Sequence, residues 1–334
     1  MPEVAGLSTP VRVSDQSWPD GAQPTVSVLC LAYNHGAYIA QAIEGFLIQE
    51  TTFPVEILIH DDASTDETSS IIRHYASRYP RVIRPIIQTE NQHSQGRWAI
   101  PIVAAEAAAP FWAICEGDDY WTAPDKLQLQ VELLQANPKA SGSVHCADGL
   151  FENSGELIPG YFKPYVMKEI YGVDDILVRG NFVPTHSIVL RKEALKEFPE
   201  WLGDVPHCDI TLLCMAALEG PLLYIDRSMG VYRKHDGGIH TRDHSVDQHL
   251  KNLRTYFKMG EKLGISERDS FREGLRYSMG QIQNQFKLYE ARIAELEARN
   301  EYDRLALEGV FKSKAFRIGL ALSRVRDKIL SRHQ

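Results

Sequence analysis

Residues 26–32 form a short apolar run that ends in the turn Tyr33-Asn34-His35-Gly36, and the segment after it carries Ile39, Ala42, Ile43, Phe46 and Leu47 on one helical face. This pattern predicts a strand, a turn and a helix. A second apolar run at 55–59 stops at Asp61-Asp62, after which Ser64 and Glu67 have the spacing of a capping box opening a helix through Ile71, Ile72 and Tyr75. Residues 82–87 and 111–115 read as further strands, and 125–136 as the helix that follows the second of these. Strands interleaved with helices in this way predict an α/β fold with a mainly parallel sheet, in which ligands bind beyond the carboxyl ends of the strands.

From about residue 140 the alternation loosens. Strands at 187–190, 222–225 and 230–233 and a helix at 210–218 would complete the α/β domain. Past Asp243, Leu275, Met279, Ile282, Phe286, Tyr289, Ile293 and Leu296 step by four and three as a heptad seam. That seam suits a coiled coil joining two copies through 275–296, or a helical hairpin. The last segment, 312–332, interleaves Lys312, Lys314, Arg317, Arg324, Arg326, Lys328 and Arg332 with an apolar helical face and holds the single acid Asp327. Such a helix can lie on an anionic membrane surface or fold back on an acidic domain. The resulting division is a loose leader at 1–24, an α/β domain at 25–242 and a helical extension at 243–334.

Composition narrows the classes. With 36 Lys+Arg against 44 Asp+Glu the net charge is −8, which argues against a broad basic surface for nucleic acid. The cysteines Cys30, Cys115, Cys146, Cys208 and Cys214 form an odd set without a C-x-x-C pair; Cys30 and Cys115 lie in apolar runs, so buried thiols and a reducing, cytoplasmic setting are expected. Residues 1–24 lack a basic region followed by an apolar run, and residues 98–115 are interrupted by Pro101, Glu106 and Pro110, so neither a signal peptide nor a membrane span is expected. His240, His244 and His249 match no standard zinc spacing.

The chemistry-bearing residues fall at strand ends. Asp61-Asp62 follows one predicted strand and Glu116-Gly117-Asp118-Asp119 another, so two neighbouring strands would deliver up to five acids to one rim. Unpaired, these acids would repel one another; a divalent cation relieves this, and an all-oxygen acidic set favours Mg²⁺ or Mn²⁺ over Zn²⁺. The plainer reading is that each pair caps the following helix. The chain has neither G-x-x-x-x-G-K-[ST] nor G-x-G-x-x-G, so a bound nucleotide would need a metal to neutralise its phosphates.

Val26-Ser27-Val28 running to Tyr33-Asn34 and Tyr38-Ile39, then Glu56-Ile57-Leu58-Ile59 with Asp61-Asp62-Ala63-Ser64-Thr65-Asp66, then Glu116-Gly117-Asp118-Asp119-Tyr120-Trp121, resembles the family 2 inverting glycosyltransferases of GT-A fold over about residues 25–240. The resemblance implies a nucleotide sugar donor, a UDP-sugar foremost, bound by Tyr33, Asn34, Asp61, Asp62, Glu116, Asp118 and Arg233. It implies Mg²⁺ or Mn²⁺ held by Asp118, Asp119 and His235, with Tyr232 to Gly238 as a loop that closes over the diphosphate. Glu116 stands where Asp is more usual. Asp209 matches the general base, although Cys208 precedes it where relatives carry Glu, and Asn181, Thr185, His186 and Ser187 fall on the acceptor side.

Processive synthases of this family carry Q-x-x-R-W and membrane spans; Gln95-Gly96-Arg97-Trp98 has the wrong spacing, so single additions are expected. The acceptor implied is a glycan or lipid-linked glycan of the cell surface, met in the cytoplasm or at the inner face of the membrane. Two rivals stand beside this reading: a non-catalytic adaptor that binds nucleotide sugar or glycan, and a metal-dependent phosphohydrolase with Asp61 or Asp62 as nucleophile.

Overall fold

A computed structural model describes residues 6–164, 166–179, 183–195, 197–238 and 246–297. The chain divides into two units, residues 1–204 with 208–235 and residues 205–207 with 236–334. The α/β unit therefore closes at His235, short of the expected boundary at 242.

In chain order this unit contains β1 (Val11–Arg12), β2 (Val26–Ala32), α1 (Ile39–Leu47), β3 (Glu50–Thr51), β4 (Val55–Asp61), α2 (Thr68–Arg78), β5 (Ile83–Ile87), α3 (Ala99–Ala105), β6 (Phe111–Glu116), β7 (Tyr120–Trp121) and α4 (Lys126–Ala136). There follow β8 (Gly142–His145), β9 (Ala147–Phe151), β10 (Glu156–Phe162), β11 (Ile170–Tyr171), α5 (Val173–Arg179), β12 (Val189–Arg191), α6 (Cys208–Glu219), β13 (Leu222–Ile225) and β14 (Gly230–Lys234). The main sheet runs β11-β13-β8-β12-β6-β2-β4-β5. Its β6, β2, β4 and β5 are parallel, as their continuous apolar runs predict for strands covered on both faces. β12 runs antiparallel to both β6 and β8, which makes the sheet mixed. Val28, Cys30, Ile57, Ile59 and Ala113 of this sheet pack with Ile39, Ile43 and Phe46 of α1 in one core.

Four local expectations change. The capping box is not formed: the Ser64 N–H and hydroxyl both donate to Asp61, and α2 begins at Thr68, whose N–H donates to Asp66 (3.0 Å). The strand expected at 187–190 starts at Val189, because Pro184 accepts the Ser187 N–H and turns 185–187 into a 3₁₀ segment. The leader is not wholly loose: β1 pairs with β3, Val13 is buried, and the Gln16 amide donates to the carbonyls of Val11 and Thr51. A second sheet, β10-β9-β14-β7, was not expected at all. Pro159 and Gly160 interrupt the β10 sequence and mask its strand pattern.

The second unit contains α7 (Val246–Leu263) and α8 (Asp269–Glu297), in which Leu253 and Ile282 are buried against Leu250, Leu275, Met279, Phe286 and Tyr289. The first part of the heptad seam is thus used within the chain. Gly260 permits this approach, since an added Cβ would lie 2.4 Å from Phe271. The basic segment 312–332, with Asn181, His240 and His244, lies outside the described residues. Among the described residues no helix is long and apolar enough to cross a membrane.

Candidate active site

β2, β4 and β6 end level with one another: Ala32 stands opposite Asp61, and Leu31 opposite Glu116. The loops after β2 and β4 are stitched together. The Asn34 N–H donates to the Ser64 hydroxyl (2.8 Å), the Asn34 side-chain oxygen accepts the Thr65 N–H (2.8 Å), and the Gly36 N–H donates to Asp66 (2.9 Å). Asn34 and Ala63 both have positive φ, 54° and 60°. Asn tolerates that conformation, whereas Ala63 is strained, a cost that tight tertiary bonding must offset. Tyr33 stands on this rim, 46% exposed.

The first acidic pair is committed to the protein. Asp61 is fully buried and accepts from the Ser64 N–H (3.1 Å) and from the hydroxyls of Ser64 and Ser69. Asp62 accepts the N–H groups of Gln92 (2.7 Å) and His93 (3.0 Å). These bonds fix both carboxylates in place between the loops after β4 and β5.

The second cluster is built on a tight turn. A Cβ on Gly117 would lie 2.6 Å from Ile39, 3.1 Å from His35 and 3.2 Å from Ala32, so glycine alone fits between Glu116 and Asp118 without displacing α1. Asp118 Oδ2 lies 3.1 Å from His235 Nε2 and 3.6 Å from His35 Nε2. Burial pushes the Asp118 carboxyl up, but His35 and His235 together hold it below the usual carboxylate range. The carboxyls of Glu116 and Asp119 are pushed well up, first by burial and then by neighbouring acids. Asp119 is buried with both oxygens engaged: Oδ1 accepts the Arg233 N–H (2.8 Å), and Oδ2 is hydrogen-bonded to His186 Nδ1 (2.9 Å).

Arg233 is a pillar of the site. Its Nε donates to the Asp118 carbonyl (2.8 Å), and its other two nitrogens bond Glu152 and Gln41 while the guanidinium lies over the rings of Tyr38 and Tyr120. Each nitrogen expected on the diphosphate thus has a protein partner. Asp209 opens α6. Its charge contributes to the raised Glu116 carboxyl, after burial, Asp119 and Asp118, and the Tyr232 phenol is raised by burial and then by Asp119, Asp118, Glu116 and Asp209. The charge of Asp209 is therefore felt at the acidic turn. Thr185, from the expected acceptor side, is hydrogen-bonded to Glu116.

The donor set fits Mg²⁺ or Mn²⁺ at Asp118 and His235. A carboxylate oxygen and an imidazole nitrogen 3.1 Å apart match the edge of an octahedron with roughly 2.1 Å bonds. Among the described residues no three His, Cys, Asp or Glu side chains are arranged to hold an ion alone. His35, Gln41 and Glu152 were missed from sequence. His35 could have been flagged as an ionisable residue just beyond a strand end; Gln41 and Glu152 reach the site only through the packing of α1 and the loop after β9.

The family model for glycosyl transferase family 2 matches residues 27–198. An uncharacterized protein of Mycobacterium tuberculosis is 36% identical over 214 residues, 64% of this chain and 60% of that protein. An uncharacterized glycosyltransferase of Nostoc sp. is 31% identical over 224 residues, 64% of this chain and 66% of that protein. The match therefore spans about three fifths of the mycobacterial relative's length. Among solved structures, the mannosyltransferase PcManGT from Pyrobaculum calidifontis, in complex with GDP-Man and Mn²⁺, superposes with a TM-score of 0.57 at 17% identity, covering 95% of this chain and 92% of that one. S. aureus TarS in complex with UDP-GlcNAc superposes with a TM-score of 0.53 at 15% identity, covering 77% and 81%. At these identities the likeness is one of fold.

Proposed function

This chain belongs to glycosyl transferase family 2, and from that premise we propose that it transfers a sugar from a nucleoside-diphosphate donor to a hydroxyl of a glycan or lipid-linked glycan, with inversion and with Mg²⁺ or Mn²⁺. The observation that supports the reading is the pairing of Asp118 with His235 beside Glu116, beyond the carboxyl ends of parallel strands. Asp118 and His235 hold the ion. When bound, the ion neutralises the donor diphosphate and stabilises the charge that develops on it as it leaves. Tyr33 offers an exposed aromatic face to the base, and the stitched loops at Asn34 and Asp61-Asp62 hold that face in place. Asp209 takes the proton of the acceptor hydroxyl as its oxygen attacks the anomeric carbon from the face opposite the diphosphate. A UDP-sugar is the first donor to test.

The test is D209N. Removing a general base costs about 10²–10⁴ in kcat, while Mn²⁺-dependent donor binding, measured by calorimetry, stays at its wild-type value. Full transfer activity in D209N would remove Asp209 from the role. Wild-type protein that binds donor and metal yet turns over no donor with any acceptor of a glycan panel would favour the adaptor reading.

A further inference from the structure

Asp119 was expected beside the metal, yet both of its oxygens are used inside the protein. One accepts the backbone N–H of Arg233 and the other is bonded to His186, a fully buried ring. The His186 ring has little freedom. The Trp121 indole N–H donates to its carbonyl (2.8 Å), and Gly230 lies so near that an added Cβ would sit 2.7 Å from the imidazole Cδ2. From Arg233 the chain runs two residues to His235, whose Nε2 faces Asp118 Oδ2, while the Arg233 Nε donates to the Asp118 carbonyl. The acidic turn and the end of β14 are thus closed into one ring of contacts, with Asp119 as its buried joint.

We propose that His186 is a positioning residue and Asp119 a latch: His186 holds Asp119, Asp119 holds the end of β14 through the Arg233 N–H, and this sets His235 against Asp118. The proposal rests on Asp118 and His235 being the metal pair. The bond between residues 119 and 186 forms whether the ring N–H donates to a carboxylate or a carboxyl O–H donates to the ring. An asparagine at 119 makes it as well, accepting the Arg233 N–H with its oxygen and donating from its amide. A true ligand behaves differently, because an amide replaces an anionic oxygen on the ion.

Mn²⁺ binding to the full chain, read from the free-ion EPR signal, separates these cases. D119N should bind Mn²⁺ within about 3-fold of wild type, whereas D118N should lose on the order of 100-fold. H186L, which leaves Asp119 without its second partner, should bind about 10-fold more weakly. H186N, whose amide reaches the position of the ring Nδ1, should restore most of that loss, which a general loss of packing would not allow. Melting temperatures taken without metal give the folded fraction to which each affinity refers. Loss in D119N equal to that in D118N would make Asp119 a ligand and overturn the proposal, as would wild-type affinity in H186L. If H186L does not fold, D119N still decides. Wild-type affinity in D118N would instead overturn the metal pair itself.

Discussion

Lys126 is fully buried behind the acidic turn, its Nζ donating to Gln130 Oε1 (2.8 Å) and lying 4.0 Å above the Trp121 ring. Among the described residues no carboxylate pairs with it. Burial pushes its ammonium down to about 7, against 10.5 in the open chain. Below about pH 7 folded and unfolded chains both hold the proton, and the full cost of the buried charge is present. Between about 7 and 10.5 the unfolded chain holds a proton that the folded chain has released, so this residue's contribution to stability improves as pH rises. At 1.36 kcal/mol per pH unit, the two limits differ by about 5 kcal/mol.

K126M keeps an unbranched chain of similar length and removes the charge. The gain at low pH is offset by the loss of a donor to the buried Gln130 oxygen, about 1–3 kcal/mol, and of the cation–ring contact, about 0.5–2 kcal/mol. A net gain of about 2 kcal/mol at about pH 6.5 remains, which in a unit of this size raises the melting temperature by about 4–8 °C. By about pH 9.5 the wild-type residue is mostly neutral and the variant loses its advantage. Thermal unfolding followed by circular dichroism across this range, read as variant minus wild type, isolates Lys126 from other titrating groups. A variant less stable than wild type at about pH 6.5, or a difference that does not change with pH, would refute the reasoning.

Two further substitutions test the packing that aims the site. Gly45 lies inside α1, where alanine ordinarily gains about 1 kcal/mol, but an added Cβ would meet the Trp121 backbone N and O, each at 2.9 Å. Overpacking against rigid backbone costs about 1–3 kcal/mol, so G45A should melt lower than wild type by a few degrees, and calorimetry showing a higher melting temperature would sink the idea. R233K keeps the charge but offers one nitrogen where the guanidinium serves Asp118, Glu152 and Gln41 with three. Unfolding in urea should show a loss of about 2–4 kcal/mol.

The carboxyl rim was legible because parallel central strands are written as unbroken apolar runs, so residues 26–32, 55–59 and 111–115 mark where the sheet ends and the acids begin. Asp61-Asp62 and the Glu116 turn were read by that route, whereas Asp209 and His235 came only through the family resemblance. What each acid bonds to was not legible. Asp62 takes its donors from residues 30 and 31 positions away, and Asp119 takes one from 114 positions away, so no local spacing encodes either choice. The β9–β10 hairpin stayed hidden for another reason: its outer strand contains Pro159 and Gly160, which local pattern assigns to turns and which an edge strand tolerates.

Five acids repelling one another at one rim would call for a metal, and the structure leaves one of them open to it. Asp61 and Asp62 are satisfied by serine hydroxyls and backbone N–H groups, and Asp119 by His186 and Arg233. Glu116 is pushed towards its protonated form by burial and by Asp119, Asp118 and Asp209. Asp118 is left as the acid of the turn held in its charged form, with two imidazoles near one of its oxygens. A turn that leaves one charged carboxylate open to an ion has modest attraction for a free divalent ion, because protein ligands supply only part of the coordination shell that replaces its water. The donor diphosphate supplies the rest. Metal and nucleotide sugar should therefore bind with strong mutual dependence, each raising the affinity for the other by the same factor, as linkage requires.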